Sequence, residues 1–234
     1  MKIDNELDYW INIDNLNEAR TKILTNGNWQ EQTEKDIKKI QDILKINSND
    51  DVIDFGCGIG RLTKPMSKIC RVIYGIDISD ATLRYTIKEL EGLTNVILTP
   101  MLSDIEIPVK RPIANKLYSL MVMQHIERHK VFALLKEINA CLFDGGEVLI
   151  QFPSLDNLKD YKNYLMNKCG VSITTPLLCF YSKQELKFFF EENGFEILNY
   201  NETEKDYFIH AKKIKESDWF MPNGIIPKWR APNE

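Results

Sequence analysis

The chain has 234 residues, 44% of them apolar, which is enough for a real core in one decorated domain. A net charge of −4 argues against duplex nucleic acid as the main partner, and no apolar run reaches the roughly 18 residues needed to cross a bilayer. The opening MKIDNELDYW carries acids where a secretory signal has an apolar centre, and five scattered cysteines without a C-x-x-C pair fit reduced thiols better than a disulfide frame or a zinc site, so the expected compartment is the cytoplasm.

Residues 1–50 are polar and read as a helical leader or cap. Within them Ile37, Ile40, Ile43 and Leu44 recur at helical spacing from Gln32 to Leu44, so one face should pack on a sheet. From Val52 the reading alternates between strand and helix. Val52–Phe55 is a strand, and Arg61–Ile69 is a helix with Pro65 in its first turn. Val72–Ile76 is a strand, and Ser79 then caps a helix through Leu90. Val96–Leu98 and Lys116–Met121 are strands, Val131–Leu142 is a helix, and Asp144-Gly145-Gly146 turns the chain into the strand Val148–Phe152. Such a rhythm implies a mainly parallel sheet covered on both faces.

The last third differs. Residues 153–181 form an insertion with Tyr161, Tyr164 and Met166, a candidate substrate cap. Ser182 and Glu185 make a capping-box pattern before an apolar helix, Leu186–Glu192, that Asn193-Gly194 stops. Phe195–Tyr200 and Tyr207–Ala211 read as a hairpin, which would add an antiparallel edge. The organisation expected is therefore a leader (1–50), a main domain (51–214) and an extended tail (215–234) pinned by Trp219 and Trp229.

The most informative stretch is VIDFGCGIGRLT, Val52–Thr63. An apolar strand ends in Asp54, and glycines alternate at Gly56, Gly58 and Gly60, which lets backbone come into contact with a ligand. A second acid, Asp77, ends the next strand in RVIYGIDIS. Acid, glycine turn and second acid at this spacing are the pattern of a nucleoside-binding crevice. The dinucleotide fingerprint G-x-G-x-x-G requires its third glycine at position 61, where this chain has Arg61.

The DFGCGIG loop, GIDIS, YSLMVMQHI, FDGGEVLIQFP and NGFEIL occur in this order before a final hairpin. Together they resemble a class I S-adenosylmethionine-dependent methyltransferase from about Val52 to Lys212. The resemblance implies an α/β, Rossmann-like, doubly wound sheet of seven strands, mostly parallel with an antiparallel C-terminal hairpin, and S-adenosylmethionine as cofactor. It places Asp54, Gly56, Cys57, Gly58 and Gly60 under the methionine and ribose portions, Asp77 on the ribose hydroxyls and Ile78 beside the adenine. Ser103 and Asp104 are joint candidates for the adenine amine, and Ser119, Leu120 and Met121 for the methionine side. Many relatives carry polar or acidic residues where this chain has Leu120 and Met121. Contacts to the amino end are then expected from backbone, or from Tyr9, Trp10, Arg20 and Trp29 in the leader, with Arg61 a candidate for the carboxylate.

Methyl transfer asks mainly for alignment of donor and acceptor and exclusion of water. Where the acceptor must lose a proton early, a base adds a factor of ~10²–10⁴. His125 and His129 are the candidates. His125 reads equally as a structural cap of its loop, and His129 as solvated helix surface. The acceptor expected is a small molecule methylated at oxygen: a sugar, a sugar nucleotide or a related metabolite. The alternatives are a non-catalytic protein that binds the cofactor or a partner, and an RNA methyltransferase, whose Asn/Asp-Pro-Pro-Tyr loop is replaced here by Ser119-Leu-Met-Val. The protein is read as a monomer or homodimer without membrane contact or a bound metal.

Overall fold

The computed structural model describes residue 10 and residues 29–103, 105–156, 161–162, 165 and 178–217. Tyr9, Arg20, Tyr164, Met166 and the tail tryptophans fall outside them. Helix α1 is Trp29–Leu44, three residues longer at its start than the apolar spacing predicts. The strands are β1 (Asp51–Phe55), β2 (Val72–Asp77), β3 (Val96–Pro100), β4 (Ala114–Ser119), β5 (Leu142–Pro153), β6 (Phe195–Glu202) and β7 (Asp206–Lys213). Between them lie α2 (Thr63–Met66), α3 (Asp80–Glu89), a 3-10 turn at Met123–His125, α4 (Arg128–Cys141) and α5 (Lys183–Glu192).

One sheet holds all seven strands in the order β3-β2-β1-β4-β5-β7-β6. The first five pair in parallel, and β7 runs antiparallel to both β5 and β6. The α/β sheet with an antiparallel C-terminal hairpin is thus the one that the sequence implies. Successive strand residues face opposite sides. On β1, Val52 packs with Ile40 and Leu44 of α1, whereas Ile53 and Phe55 join the other layer, with Leu134, Leu135 and Ile138 of α4 and Phe190 of α5. Each fully buried Ile or Leu contributes about 1.5–3 kcal/mol relative to an exposed one. The cost of parting either layer from the sheet therefore fixes where the strand ends lie.

Three local readings change. The helix expected over Arg61–Ile69 shrinks to α2: Pro65 has no N–H to donate, and Lys68 and Ile69 close three-residue turns onto Pro65 and Met66. Strand β4 stops at Ser119, two residues early, because Met121 takes a left-handed backbone with φ 64°. Asp144-Gly145-Gly146 lies inside β5 and does not precede it. The register jumps from Ala114↔Leu142 to Lys116↔Glu147, so residues bulge out of the ladder, and Gly145 supplies the φ of 77°. Both helix caps form as expected: the Ser79 hydroxyl accepts the Thr82 N–H, and the Ser182 hydroxyl accepts the Glu185 N–H. Among the described residues, no helix is long and apolar enough to cross a membrane.

Candidate active site

Parallel strands bring their carboxyl ends to one edge, and the crevice there is where open α/β sheets bind ligands. In this chain that edge opens into a cavity of about 750 Å³. Its walls come from the ends of β1, β2 and β4, from the outward half of α1, and from the β6–β7 turn.

The floor is the turn after Phe55. The Gly56 and Cys57 N–H groups donate to the Ile76 carbonyl at 2.7 and 3.1 Å, so the turn folds back on β2. Gly56 has φ 76°, and a Cβ there would lie 2.2 Å from a Val122 methyl. No larger residue fits unless the β4 exit moves. Gly60 has φ 78°, and a Cβ on it would meet Thr86 of α3 at 2.9 Å. It lets α3 pack against the loop, and it is not among the residues that line the cavity.

Two acids flank the turn. Asp77 accepts the Gly58 N–H at 2.8 Å on one oxygen and the Ser79 N–H at 2.9 Å on the other. Burial pushes its carboxyl above the usual range, and these backbone donors pull it partly back. The Ile78 N–H adds a third backbone bond, which leaves the carboxylate capacity for one further donor such as a ligand hydroxyl. Asp54 is buried, and burial raises it to about 6, although the Thr63 hydroxyl donates to it at 2.7 Å. Between the acids, desolvation pushes the Cys57 thiol well up, so it is a neutral packing group and no nucleophile.

Of the other predicted residues, Trp29, Ile78, Leu120, Met121 and His125 line the cavity. Trp10 does so too, its ring centroid 4.7 Å from that of His125. Arg61 lines it but is engaged: its guanidinium meets the Asp36 carboxylate of α1 at 2.7 Å, with both side chains at least 85% shielded. The pair ties the loop to α1. Ser103 does not line the cavity and bridges to Glu106. Ser119 is wholly buried, away from the cavity. His129 is 76% exposed on the first turn of α4 beside Glu127, so it is surface and is removed from the catalytic candidates. Asp104 lies outside the described residues.

Sequence reasoning missed three parts of the wall. Gln151 of β5 lines the cavity and is 6% exposed. Its signal was a lone amide within the apolar run VLIQF. Asp36 and Lys39 carried only the polar face of a helix pattern. Thr203, Lys205 and Asp206 sit in the hairpin turn, and nothing local says that this turn folds over the crevice.

The profile of the family described as "Methyltransferase domain" matches residues 29–200, from α1 into β6. The chain belongs to the class I S-adenosylmethionine-dependent methyltransferases. A curated relative, a probable cobalt-precorrin-6B C(15)-methyltransferase (decarboxylating) of Methanocaldococcus jannaschii, is 38% identical over 47 residues, which span 20% of this chain and 26% of that protein. Among solved structures, the magnesium protoporphyrin IX methyltransferase of Synechocystis PCC 6803 with bound S-adenosylhomocysteine superposes with a TM-score of 0.61 at 16% identity, over 85% of this chain and 88% of that one. An S-adenosylmethionine-dependent methyltransferase of Clostridium acetobutylicum ATCC 824 reaches 0.64 at 13% identity, over 84% and 96%. These last two likenesses speak to the fold. The methyltransferase's own residues fit its cofactor: a glycine cradle that a Cβ would fill, and beside it an acid, Asp77, with acceptor capacity left for a hydroxyl.

Proposed function

We propose that this methyltransferase acts on a small molecule in the cytoplasm, at an oxygen, with a sugar, sugar nucleotide or related metabolite as the acceptor class. The observation that carries the reading is the cavity. It extends past the cofactor floor toward the β6–β7 turn and is walled by Trp10, Trp29 and Phe208, and its volume of about 750 Å³ is in the range of small-molecule sites. Two relatives are named for small molecules, cobalt-precorrin-6B and magnesium protoporphyrin IX, which agrees with a small acceptor.

When bound, S-adenosylmethionine supplies an electrophilic methyl carbon. The chain's part is to hold and to exclude. Gly56 and Gly58 offer backbone at contact distance, Asp77 takes the ribose hydroxyls, and Asp54 keeps a carboxylate facing the cleft above its pKa. Trp10 and Trp29 cover the opening against water. His125, whose ring stands beside Trp10, accepts the proton of an acceptor hydroxyl; the Gln124 amide donates to its Nε2 at 3.2 Å and gives up that bond as the proton arrives.

The experiment is an S-adenosylhomocysteine release assay against panels of small hydroxylated metabolites and of total RNA, with calorimetric binding of S-adenosylhomocysteine beside it. Release with a metabolite supports the reading. Binding without release from either panel favours a non-catalytic cofactor-binding protein, and release with RNA alone overturns the acceptor class.

A further inference from the structure

Met121 is a strained residue in a functional place. Its φ of 64° lies in the left-handed region, it is not glycine, and its side chain is 55% exposed within the cavity wall. A conformation of this kind persists only where the surroundings hold it. Among the surroundings, one side chain meets Met121 twice. The Met121 N–H donates to Gln151 Oε1 at 3.1 Å, and Gln151 Nε2 donates to the Met121 sulfur at 3.5 Å. Both ends of the carboxamide are therefore used on the same residue, one on its backbone and one on its thioether. Gln151 follows Ile150, which pairs with Ser119, so it stands on the neighbouring strand beside the β4 exit.

The consequence reaches the cofactor floor. The residue after Met121 is Val122, whose methyl occupies the space in front of Gly56. Turning Met121 back to an ordinary strand conformation would swing Val122 and reopen the contact between the β4 exit and the glycine turn. This chain has no polar side chain at Leu120 or Met121, so the shape of the exit must come from the backbone.

We propose that Gln151 is a positioning residue: its carboxamide clamps Met121 in the left-handed conformation, which seats Val122 on Gly56 and sets the wall between cofactor and acceptor. The inference rests on the reading of this cavity as the cofactor site.

The test is a cycle of Gln151→Ala, Met121→Gly and the double variant, with melts by circular dichroism to establish folding. Glycine adopts φ 64° without help, so Met121→Gly makes the clamp redundant. S-adenosylhomocysteine binding is expected to weaken about 5-fold in Gln151→Ala, the size of one lost neutral hydrogen bond, and less than 2-fold when the same change is made in Met121→Gly. Spectra of protein carrying ¹³C-methyl methionine are expected to show one resonance moved by Gln151→Ala, the one missing in Met121→Gly. An equal loss in both backgrounds, or no loss in the first, overturns the clamp. If the unaltered protein fails to bind S-adenosylhomocysteine, the cofactor reading fails, while the methyl resonance still decides whether the clamp exists.

Discussion

Asp77→Ala removes a carboxylate that does two things at once. In the folded protein it accepts the N–H groups of Gly58 and Ser79, at 2.8 and 2.9 Å, and Ser79 is the buried N-cap of α3. An N–H left without a partner costs ~1–3 kcal/mol, and Asp77 is half-buried, so water can replace part of what is lost. A stability loss of about 2 kcal/mol follows, to be read from the denaturation midpoint. Ligand binding loses more. Hydrogen bonds from ribose hydroxyls to a charged acceptor are worth ~1.5–3 kcal/mol, which corresponds to a dissociation constant raised roughly 10- to 150-fold. The assay is a calorimetric titration with S-adenosylhomocysteine, repeated with methylthioadenosine, which keeps the ribose and lacks the amino-acid tail. Both ligands should weaken by the same factor. Asp77→Asn, which keeps one acceptor oxygen and turns an amide toward the other N–H, should fall between. A folded Asp77→Ala protein that binds both ligands within 2-fold of the parent would remove Asp77 from the cofactor site and with it the assignment of this crevice.

Three other tests address separate parts of the site. Burial raises Asp54 to about 6 from its ordinary 3.8, so the folded state keeps a proton that the unfolded chain releases between about pH 4 and 6; the ionised group then opposes folding above pH 6 by roughly 3 kcal/mol. Asp54→Asn keeps an oxygen for Thr63, and its stability relative to the parent should rise from about pH 4.5 to 7 in guanidinium melts; a constant or shrinking difference refutes the burial argument. Gly60→Ala should cost about 1–2 kcal/mol in stability through its φ and the Thr86 contact yet leave the affinity of the folded protein nearly unchanged, whereas Gly56→Ala should abolish binding. His129→Ala should leave turnover within 2-fold, while His125→Ala should lower it by ~10² or more at neutral pH; equal effects of the two would sink the assignment of His125 as base.

The frame of the fold was legible because its signals are local. Period and length identify the strands, Ser79 and Ser182 announce their helices, and alternating glycines after an acid define the crevice. What failed was equally physical. Gly60 and Gly56 look alike in sequence, but Gly56 is forced by Val122 and Gly60 by Thr86, contacts 66 and 26 positions away in the chain. Ser119 was placed at the cofactor because β4 was read as continuing to Met121. The strand stops two residues earlier, so Ser119 remains in the buried ladder. The bulge at Gly145 was read as a turn, since the same glycine pair serves either purpose and only pairing with β4 decides. His125 and His129 are four residues apart, yet the chain passes between them from a 3-10 turn to the exposed first turn of α4.

Arg61 lines the cavity and is already engaged within the protein. A cation just past a glycine turn invites an anionic ligand. Here the Asp36 carboxylate already satisfies it, and Gln32 donates to the same carboxylate at 2.8 Å. The pair joins two elements that the core does not bring together at this point: the core holds α1 by Ile40 and Leu44, nearer its far end, while Asp36 ties its outward half to the loop. A shielded pair of this sort adds little net stability, since desolvation of both charges offsets much of their attraction. Its value lies in what it specifies. With Asp36 bound to Arg61, the helix that carries Trp29, Lys35 and Lys39 is fixed over the crevice, and the cavity has a fourth wall. The tie is shared: Arg61 also donates to the Thr33 hydroxyl at 3.4 Å, and Lys39 stands over the Phe208 ring, 3.3 Å from its centroid, so charge and ring contacts hold α1 over the crevice where the apolar core no longer reaches.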